Sequence, residues 1–377
     1  MNLTKYKLGD LIVQRREKNN NYDVPIRGVS KEGFIPAKQK DADTSIYNVF
    51  YKYDFVFNPA RMELNSIALN LEYDKALCSS LYEVFYVKDE SIVLPEFLNL
   101  HIKRDEFARH CDYIGLGSAR EYCRFANIAE FDIELPPIEV QEGIVEADRL
   151  IKKRIRLNNQ MIQHLEATAQ ALYRKTFVEN IDKENLPEGW RMGTIGEFGV
   201  VITGKTPSSD NPEDFGNDMP FITPGDFGKY HKFAIGAERE LSEIGVKRLN
   251  GKVLTKGSVI GTCIGSDMGK VTIASEECIT NQQMNSIIVN RREYSDYLFY
   301  VLSFMSKELR AMALGSSTMP LLNKSDFERI GVIFPPNDLL VKFSQLLNTC
   351  NETTILKQKE NIKLTELQSL LLAKMGQ

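Results

Sequence analysis

Leu135-Pro136-Pro137-Ile138 and, 199 residues further on, Phe334-Pro335-Pro336-Asn337 decide how this chain is organised. The same offset carries Ile144 onto Phe343, Leu165 onto Leu364, Leu172 onto Leu371 and Lys175 onto Lys374 without a gap. Upstream, Leu116-Gly117-Ser118 matches Leu314-Gly315-Ser316, and Cys78 to Val87 lines up with Thr280 to Val289. Val24-Pro25-Ile26 corresponds to Met219-Pro220-Phe221, and Leu8-Gly9-Asp10-Leu11 to Ile195-Gly196-Glu197-Phe198. Identities are few, but the blocks keep one order in both halves, which is the mark of an internal duplication.

Each half reads as a mixed region followed by a long helix. Proline is tolerated at a helix start, where the backbone N–H has no intrahelical partner, so each Pro-Pro marks one. Glu139 and Glu142 then fall at the positive end of the helix dipole. Steps of four and three from Ile144 pass through Asp148, Ile151, Ile155, Asn158, Ile162, Leu165, Ala169 and Leu172. That narrow stripe has the pattern of a coiled-coil seam, in which an asparagine fixes register. The matching stripe, Phe343, Leu347, Cys350, Thr354, Lys357, Asn361, Leu364, Gln368 and Leu371, is polar in its middle. There the second helix is expected either to meet something other than an apolar seam or to shift its stripe through Ile355 and Ile362. Strands are expected at Phe55-Val56-Phe57, Glu83 to Val87, Val200 to Ile202, Ser258 to Ile260 and Ser286 to Val289, and short helices at Glu96 to Ile102 and Tyr297 to Leu302. The fold class is therefore α+β, with two similar mixed modules and two long helices. The expected boundaries are 1–135 and 187–334 for the modules, 136–180 and 335–377 for the helices.

Composition narrows the function. A chain of 377 residues, 43% hydrophobic and 26% charged, is an ordinary folded protein of two or three domains. No stretch approaches ~18 uninterrupted apolar residues and no apolar run follows the first lysines, so a cytoplasmic location without a membrane is expected. Six cysteines without a C-x-x-C spacing and four histidines support neither a disulfide framework nor a zinc site. The net charge is −4, or −3 and −1 for the halves divided at residue 185, so neither half binds nucleic acid by bulk charge alone.

Catalytic, cofactor-binding and metal-binding residues are not expected. Gly199 to Thr206 spells a P-loop, but Val200-Val201-Ile202-Thr203 are stiff strand formers and Pro207-Ser208-Ser209 follows where a phosphate-binding helix should start. The residue two before a lysine is never Asp or Glu, which removes a common nuclease signature. Neither Pro-Pro pair completes the amino-methyltransferase signature, and Gly115-Leu116-Gly117 lacks the third glycine of a dinucleotide loop. His101 and His110 have no spacing to Cys111 or Cys123 that selects a metal or a nucleophile.

Two modules joined to long helices suit a ligand with a repeat of its own. An antiparallel overlap of two helices, each ~57 Å long, can set the modules about one DNA turn, ~34 Å, apart. The candidate DNA-contacting residues are Lys38, Lys40, Arg61, Arg120 and Arg124, with Arg15, Arg16, Arg104 and Arg109 also basic, in the first half. In the second half they are Lys205, Thr206, Lys229, Lys232, Asn281, Gln282 and Gln283, with Lys247, Lys252, Arg291 and Arg292 also basic. The amides, Asn285 included, have the donor and acceptor pair that fits an adenine edge.

Pro187-Glu188-Gly189-Trp190, Ile195-Gly196-Glu197, Gly204-Lys205-Thr206-Pro207, Asn281-Gln282, and Pro-Pro followed by Gln141 and a long helix together resemble the specificity subunit of type I restriction-modification systems. The resemblance covers essentially the whole chain. It implies two target recognition domains, two helices forming an antiparallel coiled coil, and a double-stranded DNA target that is bipartite and asymmetric. It also implies partners: modification (M) subunits with S-adenosylmethionine, and restriction (R) subunits with ATP and Mg. The first half departs from the pattern: it lacks the Pro-Glu-Gly-Trp and Gly-Lys-Thr-Pro stretches and has Ser79-Ser80 at the position of Asn281-Gln282, while the second helix has Leu340 where Gln141 stands in the first. No base-contacting residue is carried over by the resemblance. The rival readings are a coiled-coil adaptor with two non-DNA modules and a diverged P-loop or methyl-transferring enzyme.

Overall fold

The computed structural model describes residues 3–37, 43–115, 122–179, 181–265, 268–314 and 322–375. Leu116-Gly117-Ser118 and most of the block matched to it lie outside these, as do Lys38, Lys40 and Arg120. The chain divides into two compact units, residues 1–155 with 363–377, and residues 156–362. Each long helix, Ile138–Phe177 and Asn337–Lys374, therefore gives one part to each unit.

In the first unit, strand Thr4–Lys7 runs antiparallel to Asp132–Leu135. The turn of helix Leu8–Leu11 follows, with the Leu8 N–H on the Phe131 carbonyl at 2.8 Å. The central antiparallel sheet has the order Ile12–Arg15, Glu83–Val87, Phe55–Phe57, Ile67–Leu69. Alternation in these strands sends Phe55, Phe57 and Phe85 into one core with Phe97 and Phe107 from the following helices. Ile144 and Val145 of the first long helix and Leu372 and Met375 near the end of the second pack against that core.

The second unit repeats this plan. Arg191–Thr194 pairs with Gly331–Phe334, and the Ile195 N–H meets the Ile330 carbonyl at 3.1 Å. Its sheet runs Gly199–Thr203, Met284–Val289, Val259–Thr262, Val271–Ala274, with Phe233–Ala234 added in parallel at the edge. The parallel bridge Ile26 to Leu77 in the first unit has its counterpart in Phe221 to Ile279 in the second. The core takes Ala169, Tyr173 and Phe177 from the first long helix and Leu340, Phe343 and Leu347 from the second. Phe177 meets Phe343 edge-on at 4.9 Å, whereas Asn158 meets Asn361, so the helices run antiparallel in this unit.

Along the first helix Ile151, Asn158, Ile162 and Ala169 are buried, and Ile144, Ile155, Leu165 and Leu172 half-buried. Along the second, Phe343, Leu347 and Thr354 are buried, and Leu364, Gln368 and Leu371 half-buried. The stripe does not shift through Ile362, which is 43% exposed. Instead the polar seam residues find partners. Asn158 Nδ2 donates to Asn361 Oδ1 at 2.9 Å and Asn361 Nδ2 to Asn159 Oδ1 at 2.7 Å. In the first unit Gln368 Nε2 donates to Asp148 Oδ1 at 2.6 Å.

Gln141 is fully buried in the first unit. Its Oε1 accepts the Leu94 N–H at 3.1 Å, and its Nε2 donates to the carbonyls of Ile92 and Pro136, both at 2.9 Å. The amide thus ties the loop before helix Pro95–Ile102 to the start of the long helix. Leu340 takes the matching position in the second helix and is buried in an apolar core instead. Replacing Gln141 by Leu strands one amide N–H and two carbonyls away from water. The expected loss is about 3 kcal/mol or more of stability, read as a lowered urea midpoint with an unchanged slope.

Candidate nucleic-acid interface

Strand Gly199–Thr203 ends in the turn Gly204-Lys205-Thr206-Pro207, which crosses the residues leading into strand Met284–Val289. The Gly204 N–H bonds the Met284 carbonyl at 3.1 Å and the Lys205 N–H the Thr280 carbonyl at 2.9 Å. A Cβ on Gly204 would lie 2.1 Å from the Asn281 carbonyl oxygen, so only glycine fits. The next helical piece is a single turn at Pro212–Asp214. The P-loop spelling is thus a strand and a tight crossing, with no helix N-terminus to receive phosphate.

The crossing holds a β-turn. The Met284 N–H bonds the Asn281 carbonyl at 3.3 Å, and Asn281 Oδ1 accepts the Gln283 N–H at 3.0 Å. Asn281 Nδ2 donates to Gln283 Oε1. Asn281, expected as a base contact, is instead buried as the residue that shapes the turn. Asn285 is likewise committed, to the Leu322 carbonyl and the Thr203 hydroxyl. Gln282 alone of the four amides is exposed, and the Thr206 hydroxyl donates to its Oε1. Lys205 is exposed beside it.

The first unit has the same turn. The Tyr82 N–H bonds the Ser79 carbonyl at 3.0 Å, and Ser79 Oγ accepts the Leu81 N–H at 3.3 Å. Ser79 therefore does the work of Asn281, because an Asn or Ser at this place both offer an oxygen to the N–H two residues on. Leu81, at the turn's outer corner, is 77% exposed. The turn borders a cleft of about 480 Å³ lined also by Arg61, Arg124, Arg27, Tyr82 and Tyr122. The candidates Arg61 and Arg124 are thus brought together, and the Cys123 N–H fastens their segments through the Pro59 carbonyl at 3.0 Å. Leu81 and Tyr122 were not expected; the alignment of Ser79-Ser80 with Asn281-Gln282 was the signal for Leu81, and Tyr122 is brought to the cleft only by the fold.

Other candidates are engaged elsewhere. Arg124 pairs at 3.2 Å with Glu83, whose carboxylate is largely buried, and Lys229 pairs with Glu238 at 3.3 Å in the open. Arg15 is locked to Asp54 by two hydrogen bonds between the rings of Tyr51 and Tyr86. Lys232 is a correction: it is 3% exposed and cannot reach DNA. Its ammonium bonds Asp296 and, at 2.9 Å, Asn351 Oδ1, and its backbone N–H bonds Glu166 Oε1 at 2.9 Å. With Gln358 on the Phe233 carbonyl, these contacts fasten the sheet's edge strand to both long helices within the second unit. Among the described residues no group of three His, Cys, Asp or Glu is placed to hold a metal, and no helix is long and apolar enough to cross a membrane.

The type I restriction modification DNA specificity domain model matches residues 3–167 and again 187–366. The chain belongs to this family. Among its relatives, the HindI specificity subunit of Haemophilus influenzae is 26% identical over 356 residues, covering 76% of this chain and 77% of that protein. The MjaIX specificity subunit of Methanocaldococcus jannaschii is 30% identical over 190 residues, 50% of this chain and 44% of that one. The S subunit of a type I system from M. genitalium shares the fold, with a TM-score of 0.64 at 14% identity over 99% of this chain and 96% of that one. Each specificity domain of the pair thus coincides with one mixed module and most of the long helix that follows it.

Lys232→Ala leaves the Asp296 carboxylate buried without its cation, and should lower stability by about 3 to 5 kcal/mol; Lys205→Ala, in the open, should leave the melting temperature unchanged. Next to Lys232, the hydrogen bond that His231 Nδ1 donates to Glu166 raises the pKa of His231 above its usual 6.5, and partial burial opposes the shift. The stabilisation is complete below pH 6.5 and fades as pH rises through the raised value. Melting curves of His231→Gln should lack that decline.

Proposed function

We propose that this chain selects the DNA sequence for a type I restriction-modification assembly. Each module reads one half of a bipartite, asymmetric target, and the long helices set the gap between the halves and dock the modification subunits. The chain itself is non-catalytic in this reading. Modification subunits supply S-adenosylmethionine chemistry, and restriction subunits supply ATP- and Mg-dependent translocation and cleavage. The observation that carries the reading is one scaffold built twice with unlike side chains at its equivalent open turn, Ser80-Leu81 against Gln282-Gln283. A duplicated enzyme or a symmetric adaptor gains nothing from that difference, whereas two different half-sites require it.

Methylome sequencing of a host carrying this gene with its modification partner should return a two-part motif that disappears when this gene is removed; its persistence would sink the proposal. Adding one heptad to the first helix between Asp148 and Asn158, and one to the second between Asn361 and Gln368, keeps both amide contacts. The added length is roughly 10 Å, so the gap should grow by about three base pairs of 3.4 Å with both half-sites unchanged. In gel-shift titrations the isolated chain should bind DNA weakly because of its net charge of −4, and tightly with its modification partner.

A further inference from the structure

We infer that the exposed central residue of each equivalent turn, Leu81 in the first module and Gln282 in the second, reads base identity, Leu81 against a thymine methyl and Gln282 against an adenine edge. The inference rests on the DNA-selecting function proposed above and assigns its reading residues.

Both turns are built alike. The first residue holds the fourth by its carbonyl and the third by its side-chain oxygen, through Ser79 in one module and Asn281 in the other. The strands that leave the turns, Glu83–Val87 and Met284–Val289, hold equivalent central places in their sheets. The backbone is therefore fixed in the same way twice, and what differs is carried outward. A rigid mount with variable tips is what discrimination between bases needs, because a loose side chain forfeits part of each contact in ordering entropy.

The chemistry of each tip is specific. Leu81 leaves 77% of its surface in water, which gains nothing for folding. An apolar side chain held out in this way can recognise the C5-methyl group, which thymine alone presents in the major groove. At the other tip Asn281 and Asn285 are buried and hydrogen-bonded within the module, Gln283 is half-buried with its Oε1 on Asn281, and Gln282 is the exposed amide of the four. The Thr206 hydroxyl occupies one lone pair of its Oε1 and holds the amide plane. The second lone pair and the free Nε2 then match adenine N6 and N7 in a bidentate pair. Thr206 is thus a positioning residue, and Lys205, exposed alongside, is suited to the neighbouring phosphate.

The test uses the chain assembled with its modification subunits, and reads methylation of a randomised-site DNA library. Gln282→Ala should relax one base pair of one half-site, cutting preference for the correct base roughly ten- to hundredfold, and Leu81→Ala should relax one base pair of the other. Ser80→Gln combined with Leu81→Gln should convert the preference in its half-site rather than abolish methylation. Thr206→Val should weaken the same base pair as Gln282→Ala while leaving its identity unchanged. An unchanged motif in the Gln282 and Leu81 variants, or an even loss across all sequences with a shallower salt dependence, overturns the assignment. Absence of any two-part motif from the unaltered assembly would instead overturn the function on which it rests.

Discussion

The inward stripe of the second long helix is polar in its middle, and so its fit there depends on amide groups finding partners. Thr354, Gln358, Asn361 and Gln368 occupy places where a simple coiled coil would carry leucine. An apolar seam tolerates sliding by a heptad, because one leucine contact is much like the next. A seam of amides does not. Moving Asn361 away from Asn158 and Asn159 strands three amide groups at once, at about 1 to 3 kcal/mol for each unpaired group. The same dependence reaches outward in the second unit. Asn351 lends an acceptor to Lys232, and Gln358 a donor to the Phe233 carbonyl, so the edge strand of the sheet is held by residues that a helix-stripe reading marks as defects.

Duplication in this chain survives as hydrogen-bond geometry more than as sequence. The pairs Leu8 N–H to Phe131 and Ile195 N–H to Ile330 close the same corner, and the bridges Ile26 to Leu77 and Phe221 to Ile279 join the same strands. Backbone groups make these bonds, so side chains were free to change around them. Where a side chain takes part, a class of atom is kept and the residue is not: Ser79 and Asn281 both supply an oxygen to the N–H two positions on. Gln141 and Leu340 show the opposite outcome. One satisfies two backbone groups of an adjoining loop and the carbonyl of Pro136, and the other fills a core.

These facts explain what could be read in advance. Strands such as Phe55–Phe57 and Glu83–Val87 and both helix starts follow from local pattern, since β-branched and aromatic runs or a Pro-Pro pair act within a few residues. The polar middle of the second helix was legible as a departure from a seam, but its partners were not, because they stand on other elements. Lys232 is the clearest case. In the sequence it sits in a polar stretch after Lys229-Tyr230-His231 and reads as surface. Its burial depends on Asp296 and Asn351, 64 and 119 positions away, and only folding brings them together. The Phe233-Ala234-Ile235 run that follows was the one local hint that the chain turns inward there.

Charge pairing bears on specificity in a way that net charge alone does not reveal. Exposed cations such as Lys229 and Lys247 already face Glu238 and Glu243. Open pairs of this kind contribute about 0 to 1 kcal/mol each, so a phosphate can displace the carboxylate at little cost. The displaced carboxylate remains nearby, however, and subtracts from the attraction of any DNA, whatever its sequence. For a chain that selects DNA, this lowers non-specific affinity and leaves base contacts untouched. The useful quantity is the ratio of specific to non-specific binding, set against the vast number of wrong sites. Modules of net negative charge, some of whose cations are already paired, therefore favour selection over grip, and in the proposed assembly the grip comes from the partner subunits.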